Sequence, residues 1–210
     1  MTSVLKTPGQ IHNAVPLLDC TVAPTEAELL RIGATLVQFE QHQDWGIGRT
    51  HRHHELHSNE VMIHRVDRRT DVCEPVKFSS LIELHPHSWQ YTSARHLSPY
   101  EYDTRSRPEM PQEFISELWE QLDVMKVSWS VSLIPIEPYQ GRDEQWIETT
   151  DPETRSMTSI LVSETHDVPV SETVGWRFFR SDEGAVELAV VRQCKRDTVT
   201  GFHQAIYPSK

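Results

Sequence analysis

The chain has 210 residues, of which 37% are hydrophobic, and its formal net charge at pH 7 is −11. This length predicts a single domain over residues 1–210, and the lack of concentrated positive charge argues against nucleic acid and anionic membranes as partners. No apolar run approaches the roughly 20 residues of a transmembrane helix. The first twenty residues do not have the apolar core of a secretory signal. The cysteines are widely spaced and fit a reducing compartment, so we expect a cytoplasmic protein.

The first half of the chain is predicted to be mainly strands. Residues 1–23 are predicted to form an irregular arm, and a short helix follows over about 25–33, where Thr25 can cap the first turn. Strand-forming residues then dominate as far as Tyr91. The predicted strands of this half cover residues 34–39, 45–53, 60–66, 72–78 and 81–91.

The second half contains the clearest predicted helix, over residues 111–125, where apolar residues recur at helical spacing. The segment 98–111 before it holds three prolines and is predicted to be an exposed connection. Residues 127–133 alternate between apolar residues and serine, which predicts a half-exposed strand. Residues 135–158 are rich in proline and acidic residues and are predicted to form a long surface excursion. Further strands are predicted over residues 159–163, 175–179, 185–193 and 201–207.

These elements together predict the fold class. Strands are more numerous than helices, and the helices are separated from the strand runs instead of alternating with them. The predicted fold is therefore α+β, with a mainly antiparallel β-sheet and two principal helices at about 25–33 and 111–125.

Histidine is concentrated in one part of the chain, since nine of the twelve histidines lie between His42 and His96. Imidazole is the commonest metal-binding side chain and titrates near neutral pH, so this clustering predicts metal or proton chemistry. The run His54-Glu-Leu-His57 is one residue too short for a metallopeptidase helix, and the Pro-Cys-x-x-Cys of zinc deaminases is absent. Dinucleotide-loop, P-loop and nucleophile-elbow motifs are absent as well.

The remaining interpretation places the histidines on strands. Residues two apart on a strand face the same side, so His51 and His53 can converge on one ion while His54 points away. We add Glu60 and His87 from other strands, both as metal ligands and as the candidate catalytic groups. The set His51, His53, Glu60 and His87 suits one divalent ion, Zn, Fe, Mn or Ni, with room for a substrate. Two alternatives remain open, namely metal-free acid–base chemistry and a purely structural histidine cluster.

Four short stretches carry a resemblance to known sequences. Together Trp45-Gly-Ile, His51-Arg-His53, Asn59-Glu60-Val-Met and Pro86-His87-Ser-Trp89 resemble a group of small uncharacterised fungal proteins with the pattern Trp-Gly…Leu-His-x-His…Gly-Glu-Val and a downstream Pro-His-Ser-Trp. The resemblance covers residues 35–91, where it points to His51, His53, Glu60 and His87. It implies a fungal origin in specialised metabolism and brings no known activity. Thr50 departs from it, because that pattern has leucine there.

A more distant similarity relates the two histidines, the glutamate and the later histidine to cupin-type metal sites. Glu60 comes later in the chain than the cupin glutamate does, and the glycine and proline signals of both cupin motifs are missing. The similarity therefore concerns the kind of ligand set only.

These observations predict an intracellular enzyme that acts on a small-molecule substrate through a histidine-rich site, either metal-dependent or by general acid–base catalysis. The alternative is a non-catalytic binding or accessory protein with a structural histidine cluster. The sequence leaves the reaction, the substrate and the oligomeric state open.

Overall fold

The computed structural model describes residues 6–78, 83–92, 96–163 and 171–195 of the chain. Within these residues ten strands form a closed barrel, accompanied by three α-helices. The strands are β1 (Trp45–Arg49), β2 (Glu60–Asp67), β3 (Thr70–Lys77), β4 (His85–Tyr91), β5 (Leu97–Asp103), β6 (Val131–Pro135), β7 (Glu144–Asp151), β8 (Ser156–Ser163), β9 (Ser171–Arg180) and β10 (Val186–Lys195). The helices are α1 (Pro8–Asn13), α2 (Glu26–Gln38) and α3 (Gln112–Met125). Among the described helices, none has both the length and the apolar character needed to span a membrane.

The order of strands around the barrel is β1-β6-β4-β5-β2-β3-β8-β7-β10-β9, and β9 pairs with β1 to close it. Two neighbouring pairs, β2 with β5 and β7 with β10, are parallel, and the other pairs are antiparallel. Closure leaves no unpaired edge among the ten described strands. The structure thus confirms the α+β class with a mainly antiparallel sheet and two principal helices, and it adds a barrel that the sequence did not predict.

Helix α2 is longer than predicted. Thr25 caps its first turn as expected, but the helix continues through most of the segment 34–39 that was predicted to be a strand, so that strand prediction is wrong. Ile32 and Leu36 recur at helical spacing and are fully buried. Burial of this apolar face against the barrel outweighs the strand preference of the β-branched residues in the segment.

Helix α3 confirms the helix predicted over residues 111–125. Its side chains Phe114, Leu118 and Leu122 are fully buried in the main hydrophobic core. This core also contains residues of α2 and of strands β1, β6 and β9. The apolar stripe read from the sequence is therefore the face that packs on the outside of the barrel.

Truncation of this stripe gives a direct test of the packing. We expect Leu118→Ala to lower the free energy of unfolding by about 2–5 kcal/mol, because it removes a fully buried side chain and leaves a cavity. Val124 on the same helix is 69% exposed, so Val124→Ala should change that free energy by less than about 0.5 kcal/mol. Urea unfolding followed by circular dichroism measures both, and equal effects would show that α3 does not pack through Leu118.

Two segments that were predicted to lie outside regular structure belong to the barrel. Strand β5 occupies the first part of the predicted connection 98–111, and β7 with the start of β8 occupies the predicted excursion 135–158. Both predictions are therefore wrong. The acidic residues that indicated solvent exposure, Glu101, Asp103 and Glu148, are instead buried. Side chains alternate between the inside and the outside of a barrel strand, so a polar interior gives strands the composition of a loop.

The other boundaries differ in smaller ways. The predicted strand 45–53 ends at Arg49, and the arm 1–23 contains α1 and a short 3₁₀ turn at Leu18–Cys20. The strand predicted over 127–133 begins only at Val131, and it is buried on both faces instead of half-exposed, so that part of the prediction is wrong. The predicted strand 201–207 lies outside the described residues. The strands predicted over 60–66, 72–78, 159–163, 175–179 and 185–193 are confirmed, each within a longer strand or close to its bounds.

Candidate functional site in the barrel interior

One end of the barrel is covered by residues 15–21. Strand β1 ends at Arg49, whose guanidinium donates to the Leu18 carbonyl at 3.1 Å. The chain then crosses this end, and Arg52 Nε donates to the Val15 carbonyl at 2.9 Å. Leu18 itself is fully buried. Two arginines thus attach the covering segment to the end of the barrel.

The structure places His51 and His53 side by side beneath this segment. Their ring centroids lie 4.8 Å apart, and both residues are buried. An isolated bridge between Arg52 and Leu17 keeps the backbone extended after β1 has ended, so the side chains on either side of Arg52 project the same way. His54 is directed elsewhere, with its Nε2 3.2 Å from the Ser156 carbonyl.

Glu148 of β7 brings a carboxylate to these imidazoles. Its Oε2 lies 3.8 Å from His51 Nε2 and 3.6 Å from His53 Nε2. Two ligand atoms that are each about 2.1 Å from a tetrahedral ion lie about 3.4 Å apart. The observed distances are close to that spacing, so a small adjustment would let all three atoms bind one ion.

Cys194 of β10 completes the group. Its Sγ and the ligand atoms of His51, His53 and Glu148 all lie within 4.8 Å of one another. The free volume beside the two histidines and the glutamate is about 20 Å³, enough for one water molecule or one ion. These four residues are therefore geometrically able to hold a metal ion.

The surroundings of Glu148 favour its ionised form. Burial raises its pKa, but the neighbouring imidazoles and the Arg192 guanidinium outweigh burial, so the pKa of Glu148 lies well below its ordinary value. Arg192 Nη1 donates to Glu148 Oε1 at 3.0 Å, which leaves Oε2 facing the histidines. Burial lowers the pKa of His53. Near neutral pH this centre consequently presents an ionised carboxylate and a neutral imidazole, the forms that bind metals.

A second buried cluster surrounds His64 of β2. His64 Nδ1 lies 2.9 Å from Asp71 Oδ2, and its Nε2 lies 3.2 Å from Glu101 Oε2. The His87 ring stacks on the His64 ring with centroids 3.6 Å apart and planes 10° apart. All of these side chains are buried. The arrangement is an imidazole held between two carboxylates, with a second imidazole against its face.

The two stacked imidazoles have opposite protonation preferences. Burial lowers the pKa of His64, but the Asp71 carboxylate outweighs it and the pKa lies well above the ordinary value. Burial, followed by the charge of His64, holds the pKa of His87 well below the ordinary value. A protonated imidazole has no lone pair for a metal. His64, Asp71 and His87 form a group that could hold a metal ion, as do His64, Cys73 and Glu101. When His64 is protonated and paired with Asp71, as its raised pKa favours, its imidazole is not available as a metal ligand.

The structure separates the four predicted site residues. His51 and His53 lie together, whereas His87 belongs to the cluster around His64. Glu60 forms a bidentate salt bridge with Arg155, whose Nη1 and Nη2 donate to the two carboxylate oxygens at 2.8 Å each. The pKa of Glu60 is held at about 2, chiefly by this arginine. Glu60 and His87 are therefore not brought to His51 and His53, because each is engaged by another partner.

The sequence analysis missed Glu148 and Cys194, the two residues that join the histidines. Glu148 lies in the segment that was predicted to be a surface excursion. The local pattern gives no clear signal, because Trp146 and Ile147 point to opposite faces of the strand and each face also carries a polar residue. Cys194 follows the predicted strand 185–193 directly and carries no signal of its own.

No protein-family model matches the chain, and neither a curated protein nor a solved structure is significantly similar to it. The functional assignment therefore depends on the geometry of the barrel interior.

Proposed function

We propose that this protein is an enzyme that acts on a small organic molecule through one divalent metal ion held by His51, His53 and Glu148. The observation that carries the proposal is the approach of two imidazole nitrogens to one carboxylate oxygen, at 3.8 and 3.6 Å, inside the barrel. Two imidazoles and a carboxylate suit Zn, Fe, Mn or Ni. Arg192 would hold the carboxylate in orientation through its other oxygen.

A bound ion of this kind would activate water or polarise a carbonyl group of the substrate. The space beside the ligands is about 20 Å³, which admits one water but no organic molecule. A substrate would therefore reach the ion from the end of the barrel that residues 15–21 cover, after that segment moves. Because the ion would activate water or polarise a carbonyl group, the proposed reaction is a hydrolysis or a proton transfer.

Elemental analysis of the protein without an affinity tag tests the proposal. We expect about one divalent ion per chain after growth or refolding with Zn, Fe, Mn and Ni present, because three ligands converge on one point. Removal of the ion by a chelator should lower the melting temperature, and adding it back should restore that temperature. Protein that binds none of the four ions would favour metal-free acid–base use of the same groups.

A non-catalytic metal centre is the second candidate, and the position of Cys194 favours it. With a thiolate as fourth ligand the ion would have four protein ligands, as in structural zinc sites, whereas catalytic sites keep a position for water or substrate. The small free volume agrees with a closed site. Under this alternative the ion would stabilise the barrel and no reaction would follow.

Cobalt substitution separates the two candidates. A cysteine thiolate bound to Co²⁺ gives a charge-transfer absorption that histidine and carboxylate ligands do not give. The catalytic candidate predicts that this band is absent and that Cys194→Ser keeps its metal. The structural candidate predicts that Cys194→Ser removes both the band and most of the metal. Cys20→Ser is the matched control, because Cys20 is exposed.

The cellular location and the biological origin of the protein remain predictions. The three cysteines form no disulfide, which fits the cytosol expected from their spacing. Specialised metabolism in a fungus is proposed on the sequence resemblance alone.

A further inference from the structure

A second cavity lies at the end of the barrel opposite to the covering segment 15–21. Strand β1 ends at that segment with Arg49, and β9 runs antiparallel to β1, so the start of β1 and the end of β9 lie at the other end. The cavity is a cleft of about 460 Å³ between residues 42–44, the end of β9 and the segment 137–142. A cleft of this volume has the dimensions of a small-molecule site.

Three arginines line this cleft, and one of them differs from the other arginines of the protein. Arg142 and Arg180 are exposed, whereas Arg177 is half-buried. Every other described arginine that is not exposed forms an ion pair with a carboxylate, namely Arg49, Arg52, Arg105, Arg107, Arg155 and Arg192. Arg177 has no carboxylate partner among the residues that the structure describes. Its positive charge is therefore withdrawn from water without an opposite charge beside it.

One nitrogen of Arg177 is open to a ligand in the cleft. Its Nη1 donates to the Gln140 carbonyl at 2.9 Å, and its Nε is buried. Its Nη2 has no acceptor within the described part of the chain and is not buried. The guanidinium groups of Arg177 and Arg142 each lie 4.6 Å from the centre of the Phe179 ring. Burial, followed by the charge of Arg142, lowers the pKa of Arg177, so an anion beside it would relieve both effects.

Two carboxylates also line the cleft, those of Asp44 and Glu137. Both oxygens of Glu137 accept hydrogen bonds from Arg105 at 3.0 Å, and one accepts from Arg107 at 2.6 Å. The charge of Glu137 is thus already compensated. Asp44 is exposed and has no cationic partner among the described residues. Asp44 is therefore the one lining carboxylate that opposes an anion.

The positive charges of the cleft outnumber this carboxylate. Arg142 is bound to Glu187, whereas neither Arg177 nor Arg180 has a carboxylate partner in the described ranges. The other titratable lining residue, His42, adds no negative charge. Two uncompensated guanidinium groups consequently stand against one exposed carboxylate, and solvent screens the half-buried Arg177 least.

We propose that this cleft binds a small organic molecule through a phosphate or carboxylate group. An oxygen of that group would accept a hydrogen bond from Arg177 Nη2, and Arg180 would add positive charge at the rim. A guanidinium binds such oxyanions through charge-assisted hydrogen bonds. A cationic molecule of the same size would meet the charge of Arg177 with no carboxylate between them. The site uses none of the metal ligands proposed above, so it is independent of that centre.

Ligand-observed NMR titration at low ionic strength with phenyl phosphate, benzoate and benzylammonium tests the proposal. We expect saturable binding of at least one of the two anions and none of the ammonium compound. Arg177→Gln should weaken anion binding roughly tenfold, because it removes both the charge and the open donor. Arg177→Lys, which keeps the charge, should retain more of the affinity than Arg177→Gln does. Asp44→Asn should strengthen anion binding roughly twofold, because it removes the opposing charge.

Arg65→Gln is the matched control, because Arg65 lies outside the cleft and its side chain is 55% exposed and pairs with Glu74. Its affinity should equal that of the unaltered protein, as should that of His53→Ala, whether or not that variant retains metal. Circular dichroism would show that each variant is folded. Absence of binding by both anions, equal binding of benzylammonium, equal affinities of Arg177→Gln and Arg65→Gln, or weaker binding by Asp44→Asn would each overturn the proposal.

Discussion

Replacing His64 with glutamine should lower the free energy of unfolding by about 3–5 kcal/mol, because it removes the cation between two buried carboxylates. Asp71 and Glu101 would then lose the imidazolium that lies between them. Both carboxylates lie within 3.2 Å of the imidazole in the unaltered protein. Chemical unfolding in urea measures the loss.

His85→Gln is the control for this variant, since His85 is also a barrel histidine but is only half-buried. It should change the free energy of unfolding by less than about 0.5 kcal/mol. The double variant His64→Gln with Asp71→Asn should lose less than the sum of the single losses, because the two side chains interact. Strictly additive losses would mean that His64 and Asp71 do not form the ion pair described here.

The same pair should make stability depend on pH. The pKa of folded His64 lies above its ordinary value of 6.5, so its contribution is fully present below about pH 6.5 and declines as the pH rises towards the folded pKa. Above about pH 6.5 the unaltered protein should therefore lose stability, until the pH passes the raised pKa of folded His64. The His64→Gln variant should lack that part of the decline, and parallel pH profiles of the two proteins would contradict the assignment.

Replacing His53 with alanine, or Glu148 with glutamine, should reduce the metal content to roughly a tenth of that of the unaltered protein, because the ligands of a shared ion act together. The melting temperature of either variant should no longer rise when metal is added. Elemental analysis after dialysis against a metal-free buffer, together with thermal unfolding, measures both effects.

Two neighbouring histidines are the controls for the metal centre. His54→Ala should keep its metal, because the His54 ring contacts the Ser156 carbonyl and is not in the ligand group. His87→Ala should keep its metal but lose stability, because its ring stacks on His64. If His87→Ala loses metal as fully as His53→Ala does, the ligand group is the one predicted from the sequence and the centre proposed here is wrong.

Some strands of the barrel could be predicted from the residue pattern and others could not. Strands β2, β3, β9 and β10 were predicted because β-branched or aromatic residues recur in them. Strands β5 and β7 were missed because Glu101, Asp103 and Glu148 face inwards. The expectation that charged side chains face solvent fails where charged residues line the inside of a barrel.

The candidate site shows the same limit. His51 and His53 are two residues apart in the sequence, so alternation along an extended backbone was enough to predict that they lie together. Glu148 comes from a strand far along the chain, and its place beside them depends on the order in which the strands close. Glu60 and His87 were chosen by the same local reasoning, which could not reveal that Arg155 and His64 engage them.

The sequence by itself determined the α+β class, the two main helices and the pairing of His51 with His53, because each depends on spacing within a few residues. Only the tertiary structure decided that the sheet closes, which buries Glu148, Arg192 and Cys194 beside those histidines. The physical reason is that strand order and the direction of each face are set by contacts between residues distant in the chain, and a local pattern carries no information about them.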